Sequence, residues 1–161
     1  MNKTLVADSS PLIVLLKSDL EHILPELFEE IIVPEAVWEE ILAEKPNDTA
    51  RQKLPQLSWA RRALTEISNE TIESYNLGKG ETAVLNLDLT ISGSRVLLDD
   101  YAARKFAKIL GMPALGTGGL LIMAKQNGLI VSVAEALEKV QDAGLWLSDE
   151  IIKLIKEKIG E

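Results

Sequence analysis

Five carboxylates and a few polar neighbours carry the chemistry open to this sequence. Asp99 and Asp100 follow the apolar run Val96-Leu97-Leu98, and Asp8 follows Leu5-Val6-Ala7. Glu40 stands beside Ile41, and Glu81 follows Gly78-Lys79-Gly80. A short apolar run bounded by polar residues reads as a buried strand of a parallel sheet, so the aspartates lie where strands run out. Ligands of open α/β sheets bind at that edge. Adjacent aspartates repel each other there and sit badly beside an apolar core unless a cation or a basic partner compensates them.

Each residue also has a plainer role. Asp99 and Asp100 fit a solvated loop opening a helix at its positive end. Asp8 fits an Asx turn or a cap, Glu40 an exposed helix charge, and Glu81 a partner for a helix macrodipole. Arg104, one turn after the aspartates, fits either a substrate phosphate or a salt bridge to Asp100, the latter being the commoner outcome. The Thr117 hydroxyl fits a helix cap better than a water-orienting role.

The elements that must position these residues alternate in type. Strands are expected over Lys3–Ala7, Ile31–Val33, Arg95–Leu98 and Ala114-Leu115, with Ala60–Glu66 an edge strand or irregular. Ser10 as N-cap with Pro11 behind it predicts a helix start. Further helices are expected over Leu20–Phe28 with a break at Pro25, from Pro34 through Leu42, and over Ser68–Leu77. Others follow Gly80, begin at Tyr101, span Leu120–Gln126, and start from the capping box Ser132-x-x-Glu135. Ser148 caps a last amphipathic helix. Thr49–Trp59 carries only a weak pattern.

Strands alternating with helices imply a three-layer α/β/α sandwich around a short central parallel sheet. In it Asp8 and Asp99/Asp100 converge on one sheet edge, while Glu40 and Glu81 arrive from neighbouring helices. The chain has no cysteine and one histidine, His22, in a polar segment. Thiolate zinc sites, disulfides and cysteine nucleophiles are therefore excluded, and histidine-dependent triads are disfavoured. Clustered carboxylates without such partners point to oxygen ligation of a hard cation, Mg2+ or Mn2+.

At 161 residues and 47% hydrophobic, the chain fits a single domain over 1–161, with 148–161 as a C-terminal helical extension. Asp8 interrupts the first apolar run too early for a signal peptide, and no run nears the ~20 residues of a membrane helix, which predicts a soluble, cytoplasmic protein without membrane contact. A net charge of −8 argues against broad nucleic-acid binding, although metal held in an acidic pocket would reverse the local sign. Ile151, Ile152, Ile155 and Ile159, beside Leu145-Trp146-Leu147, form an apolar stripe that predicts a homodimer.

The segments Val6-Ala7-Asp8-Ser9-Ser10, Val37-Trp38-Glu39-Glu40-Ile41, Gly80-Glu81-Thr82-Ala83-Val84 and Leu97 through Arg104 together resemble the PIN domain. The resemblance is closest to a subgroup reading D-S-S-P-L, G-x-G-E, L-x-D-D-x-x-A-R and G-T-x-G-x-L, the last matched by Gly116 to Leu120. It spans about Leu5 to Ser148. Many PIN domains are metal-dependent ribonucleases, including the VapC-like toxins of toxin–antitoxin pairs. The resemblance thus implies phosphodiester hydrolysis with one or two ions, with RNA or other single-stranded nucleic acid as substrate and a small antitoxin protein as partner. It implies a catalytic quartet of Asp8, Glu40, Glu81 and Asp100, metal held by Asp8, Glu81 and Asp99 or Asp100, and Ser9, Arg104 and Thr117 in supporting or substrate contacts. Two positions depart from the family pattern: Glu81 replaces an aspartate, and Leu98 replaces a strand-end threonine. They leave open whether Asp99 or Asp100 is the ligand. Two other readings share some of these residues. One is a non-cleaving nucleic-acid-binding or regulatory module. The other is a phosphate-receiver domain, which requires a lysine after a later strand where Gly116-Thr117 stands.

Overall fold

The computed structural model describes residues 3–161. Five strands form one parallel sheet: β1 (Thr4–Ala7), β2 (Glu30–Pro34), β3 (Ala60–Ala63), β4 (Arg95–Leu97) and β5 (Ala114–Leu115). Their order across the sheet is β3-β2-β1-β4-β5. The chain therefore steps outward twice from β1, returns to its other side, and steps outward again. Between β1 and β4 the winding reverses, which is where open α/β sheets form a crevice beyond their strand ends. Register is fixed by Val6 opposite Ile32 on one side and Val96 on the other. The side chains of β1 are buried along its whole length, as a strand covered on both faces requires.

Helices cover both faces of the sheet, giving the expected α/β/α sandwich. They are α1 (Ser9–Lys17), α2 (Ile23–Leu27), α3 (Glu35–Leu42), α4 (Thr49–Lys53), α5 (Glu70–Glu73), α6 (Lys79–Leu89), α7 (Tyr101–Ile109), α8 (Thr117–Gln126), α9 (Val133–Asp142) and α10 (Asp149–Ile159). Leu5, Leu12, Leu15, Ile41, Leu85 and Leu97 are among the fully buried core side chains. No helix among the described residues is long and apolar enough to cross a membrane.

Several elements differ from the sequence expectation for identifiable reasons. Helix α1 begins at Ser9 with Asp8, not Ser10, as N-cap, and the Asp8 side chain makes no capping bond. Pro25 falls within the first turn of α2, where its missing N–H breaks nothing. The helix expected over Ser68–Leu77 shrinks to α5: the Asn69 side chain caps it at Thr71 and Ile72, and Asn76 at a φ of 54° turns the chain away. Weakly patterned Thr49–Trp59 holds α4 and a 3-10 turn, Leu54–Gln56. Helix α10 packs on α8 and α9, with Ile155 and Ile159 against the core, leaving Ile151 46% and Leu154 63% exposed.

Candidate active site

The backbone of Asp8 is fixed by the sheet: its amide donates to the Leu97 carbonyl at 3.1 Å, tying the end of β1 to β4. Its carboxylate is only 1% exposed, and Oδ1 has no hydrogen-bond partner. A buried charge without a partner is costly, and the group responds by holding its proton. The Asp8 pKa is raised from 3.8 to about 7, chiefly by burial. The Ser9 amide offsets part of this shift, while Glu81, Glu40 and Asp100 add to it by repulsion. Three of the carboxylates singled out in the sequence thus act on Asp8 through space.

Glu40 reaches the site from α3. Ser9, the first residue of α1, donates its hydroxyl hydrogen to Glu40 Oε2 and so ties the two helices together beside Asp8. Glu81 lies in the first turn of α6 and folds back over Gly78. Gly80 explains why the G-x-G-E segment needs its second glycine. A Cβ there would stand 3.0 Å from Asp8 Oδ1 and 3.4 Å from both Glu40 oxygens. The space that side chain would fill is a cradle faced by two carboxylates.

The adjacent aspartates divide their tasks. Asp99 is held by Thr117, whose amide donates to Oδ1 at 2.8 Å and whose hydroxyl donates to Oδ2 at 2.5 Å. Thr117 therefore does not cap α8, because Gly116 occupies that position and the hydroxyl is directed to the carboxylate. Asp100 is the N-cap of α7, with Oδ2 accepting from the Ala103 amide at 2.9 Å. Asp100, not Asp99, is the member of the pair whose charge raises the Asp8 pKa. Arg104 leans over Gly116: a Cβ on that glycine would be 3.3 Å from Arg104 Cζ and 3.2 Å from Asp99 Oδ1. Among the described residues Arg104 forms no salt bridge, so the pairing with Asp100 expected from sequence is not made.

Among the described residues, no three histidine, cysteine, aspartate or glutamate side chains stand close enough to enclose an ion by themselves. The donors nevertheless suit a hard cation that keeps part of its water shell. Mg2+ commonly takes one or two protein carboxylates and completes its octahedron with water and substrate phosphate. The unpartnered Asp8 oxygen and the Gly80 cradle supply a protein anchor of that kind.

Sequence reasoning does not find the burial of Asp8 or the Ser9–Glu40 link, since both depend on how α1 and α3 meet. It also misses a cleft of about 1250 Å3 that opens beside Asp99 and Asp100. A smaller hollow of about 380 Å3, bordered by Thr65, Lys79 and Asn86, contains none of the five carboxylates.

The family model that matches this chain describes a PIN domain and covers residues 4–161. No curated protein matches it.

Proposed function

The chain belongs to the PIN-domain family, and from that premise we propose that it is a divalent-metal-dependent ribonuclease hydrolysing phosphodiester bonds. The observation that carries this reading is the Asp8 carboxylate, buried at the crevice between β1 and β4 with one oxygen unpartnered and three further carboxylates acting on it. Such a group suits cation ligation better than any structural task, because a purely structural buried carboxylate would have its oxygens satisfied.

In this reading Asp8, Glu81 and Asp100 hold Mg2+ or Mn2+. When bound, such an ion lowers the pKa of water and compensates the charge that grows on the phosphoryl oxygens. Glu40, oriented by the Ser9 hydroxyl, would be the general base in this reading, taking a proton from the attacking water. Asp99, fixed by Thr117, keeps the end of β4 and the start of α8 at a constant separation. Arg104, unpaired and exposed, is placed to bind a substrate phosphate. The sequence resemblance further implies a toxin role with a small antitoxin protein as partner, and the reading takes the chain to act in the cytoplasm. Of the stripe expected to pair two copies, Ile155 and Ile159 pack on the core, and Ile151 with the neighbouring Trp146 stays open to support a homodimer. The final helix remains an extension of a single domain in this reading.

A non-cleaving nucleic-acid-binding module is the second reading, favoured by the absence of a closed three-ligand cluster among the described residues. One experiment separates the two: incubation of the purified protein with RNA and Mn2+ or Mg2+, alongside Asp8→Asn. Cleavage that requires the ion and is lost in the variant supports the nuclease. Metal-independent binding without cleavage supports the module.

A further inference from the structure

The cleft beside the candidate site brings cations and open aromatic rings together. It is bordered by Asp99 and Asp100 at the strand ends, by Arg104, Lys105 and Lys108 of α7, and by the connector carrying Trp146. In a chain of net charge −8, three cations beside two aspartates leave this cleft with a small positive excess, gathered on the α7 side. None of the three forms a salt bridge among the described residues, and all are exposed.

The cleft is also bordered by two rings left in the open: Tyr101 is 83% and Trp146 81% exposed. A large aromatic side chain buries much area when covered, so exposure of two at one cleft marks a contact surface. At about 1250 Å3 the cleft is larger than the ~300–1,000 Å3 that encloses a small ligand, and so has room for more than one residue of a polymer. Cations along a groove with free aromatic rings are what unpaired nucleic acid requires, phosphates meeting the charges and bases stacking on the rings. A duplex would keep its bases stacked on one another and leave the rings unused.

We infer that this cleft is the single-strand subsite of the protein, in which Trp146 and Tyr101 stack bases while Lys105 and Lys108 hold the backbone that leads to the carboxylates. The inference rests on the proposed nuclease for the class of substrate and adds where and in what form the strand is held. A second copy of the chain covering the same rings is the competing occupant.

The test uses the full chain in EDTA with a fluorescein-labelled oligouridylate, so that binding is read without cleavage. Trp146→Ala is expected to raise Kd roughly 5- to 100-fold and Trp146→Phe to restore most of the affinity, in line with stacking on a base. Lys105→Glu with Lys108→Glu is expected to flatten the slope of log K against log salt by about 1.4, at ~0.7 for each single-strand phosphate that is no longer neutralised. A blunt-ended RNA duplex should bind at least tenfold more weakly than the oligouridylate. Unchanged Kd in Trp146→Ala overturns the inference. So does a dimer, seen by light scattering, that Trp146→Ala dissociates and the oligonucleotide does not. Cleavage with Mn2+, measured on the same proteins, separates the two claims. Binding that follows the expected pattern with no cleavage by the unmodified chain removes the nuclease and leaves the subsite. Cleavage whose KM is unaffected by Trp146→Ala removes the subsite and leaves the nuclease.

Discussion

Thr117 grips Asp99 twice, giving its amide hydrogen to Oδ1 at 2.8 Å and its hydroxyl hydrogen to Oδ2 at 2.5 Å. The pair joins the loop after β4 to the first turn of α8, and the threonine is completely buried. Bonds to a charged group in such a place each contribute about 1.5–3 kcal/mol. Thr117→Val keeps the volume and removes the hydroxyl bond. Urea denaturation of this variant is expected to show a loss of about 2 kcal/mol. If Asp100 is the ion ligand, Mn2+ affinity measured by calorimetry should stay within threefold. A tenfold change would transfer that role to Asp99.

The raised pKa of Asp8 predicts a pH dependence with a definite sign. Between the ordinary value of 3.8 and the folded value of about 7, the folded chain carries a proton that the unfolded chain has released. Stability from this residue is therefore full below about pH 4 and falls as pH rises through about 7, by an amount on the order of 4 kcal/mol at most. Melting in EDTA should show this decline, and Asp8→Asn should flatten it. Mn2+ should oppose the decline, because the ion favours the ionised carboxylate. A wild-type curve that rises over the same range in EDTA would remove the assignment.

Asp8→Ala and Glu81→Ala should each leave the fold intact or slightly more stable without metal, since each removes one like charge from a crowded site, whereas Asp100→Ala should cost about 1 kcal/mol because it also removes the cap of α7. The gain from Mn2+ at a hundredfold excess over Kd is about 2.7 kcal/mol for an intact site. If a variant retains the full gain, the residue it replaces holds no ion.

Gly80→Ala separates stability from function. Alanine favours a helix over glycine by up to about 1 kcal/mol, so α6 should tolerate it. Its methyl would stand 3.0 Å from Asp8 Oδ1, in the space proposed for the ion. Thermal stability in EDTA should change by less than about 1 kcal/mol, while the Mn2+-induced rise in melting temperature should vanish. Retention of that rise would place the ion elsewhere.

Much of this arrangement is legible in the chain because the fold class follows from alternation. Short apolar runs each ending in a polar turn mark four of the five strands and place Asp8 and Asp99-Asp100 on one edge. The edge strand β3, reading Ala60-Arg61-Arg62-Ala63, is ambiguous between strand and loop because its arginines are exposed and give no apolar run. Other features lie beyond reach for a related reason. The Ser10 hydroxyl looks like the cap since Pro11 follows it, yet the helix starts two residues earlier because the Asp8 backbone is already committed to β4. The cleft with Trp146 joins residues more than forty positions apart, and nothing local marks them as neighbours.

Glu161 offers a check on the far end of the structure. Its carboxylate accepts from Lys125 Nζ and Ser132 Oγ, each at 2.6 Å, and from the Val133 amide at 2.9 Å, fastening the end of α10 to the start of α9. These donors, Lys125 first, lower its pKa to about 2, so the fastening holds above its ordinary value and is lost only as pH falls through about 2. Glu161→Gln should speed amide exchange in α10 and the first turn of α9 at neutral pH, leaving exchange in β1 unchanged. Equal rates in both proteins would mean that α10 is held by its apolar face alone.

The central position of β1 also bears on when the protein becomes competent during synthesis. The strand is made before β4, so its Asp8 amide must wait for the Leu97 carbonyl. Between them lie β2, β3 and six helices, so every contact that completes the site is non-local and is paid for in loop closure before it is rewarded. A nascent chain halted before Thr117 would hold Asp8 and Glu40 but lack the residue that fixes Asp99. The order of strands thus delays the assembled carboxylates until β4 and the start of α8 have been made, an interval of silence set by topology alone.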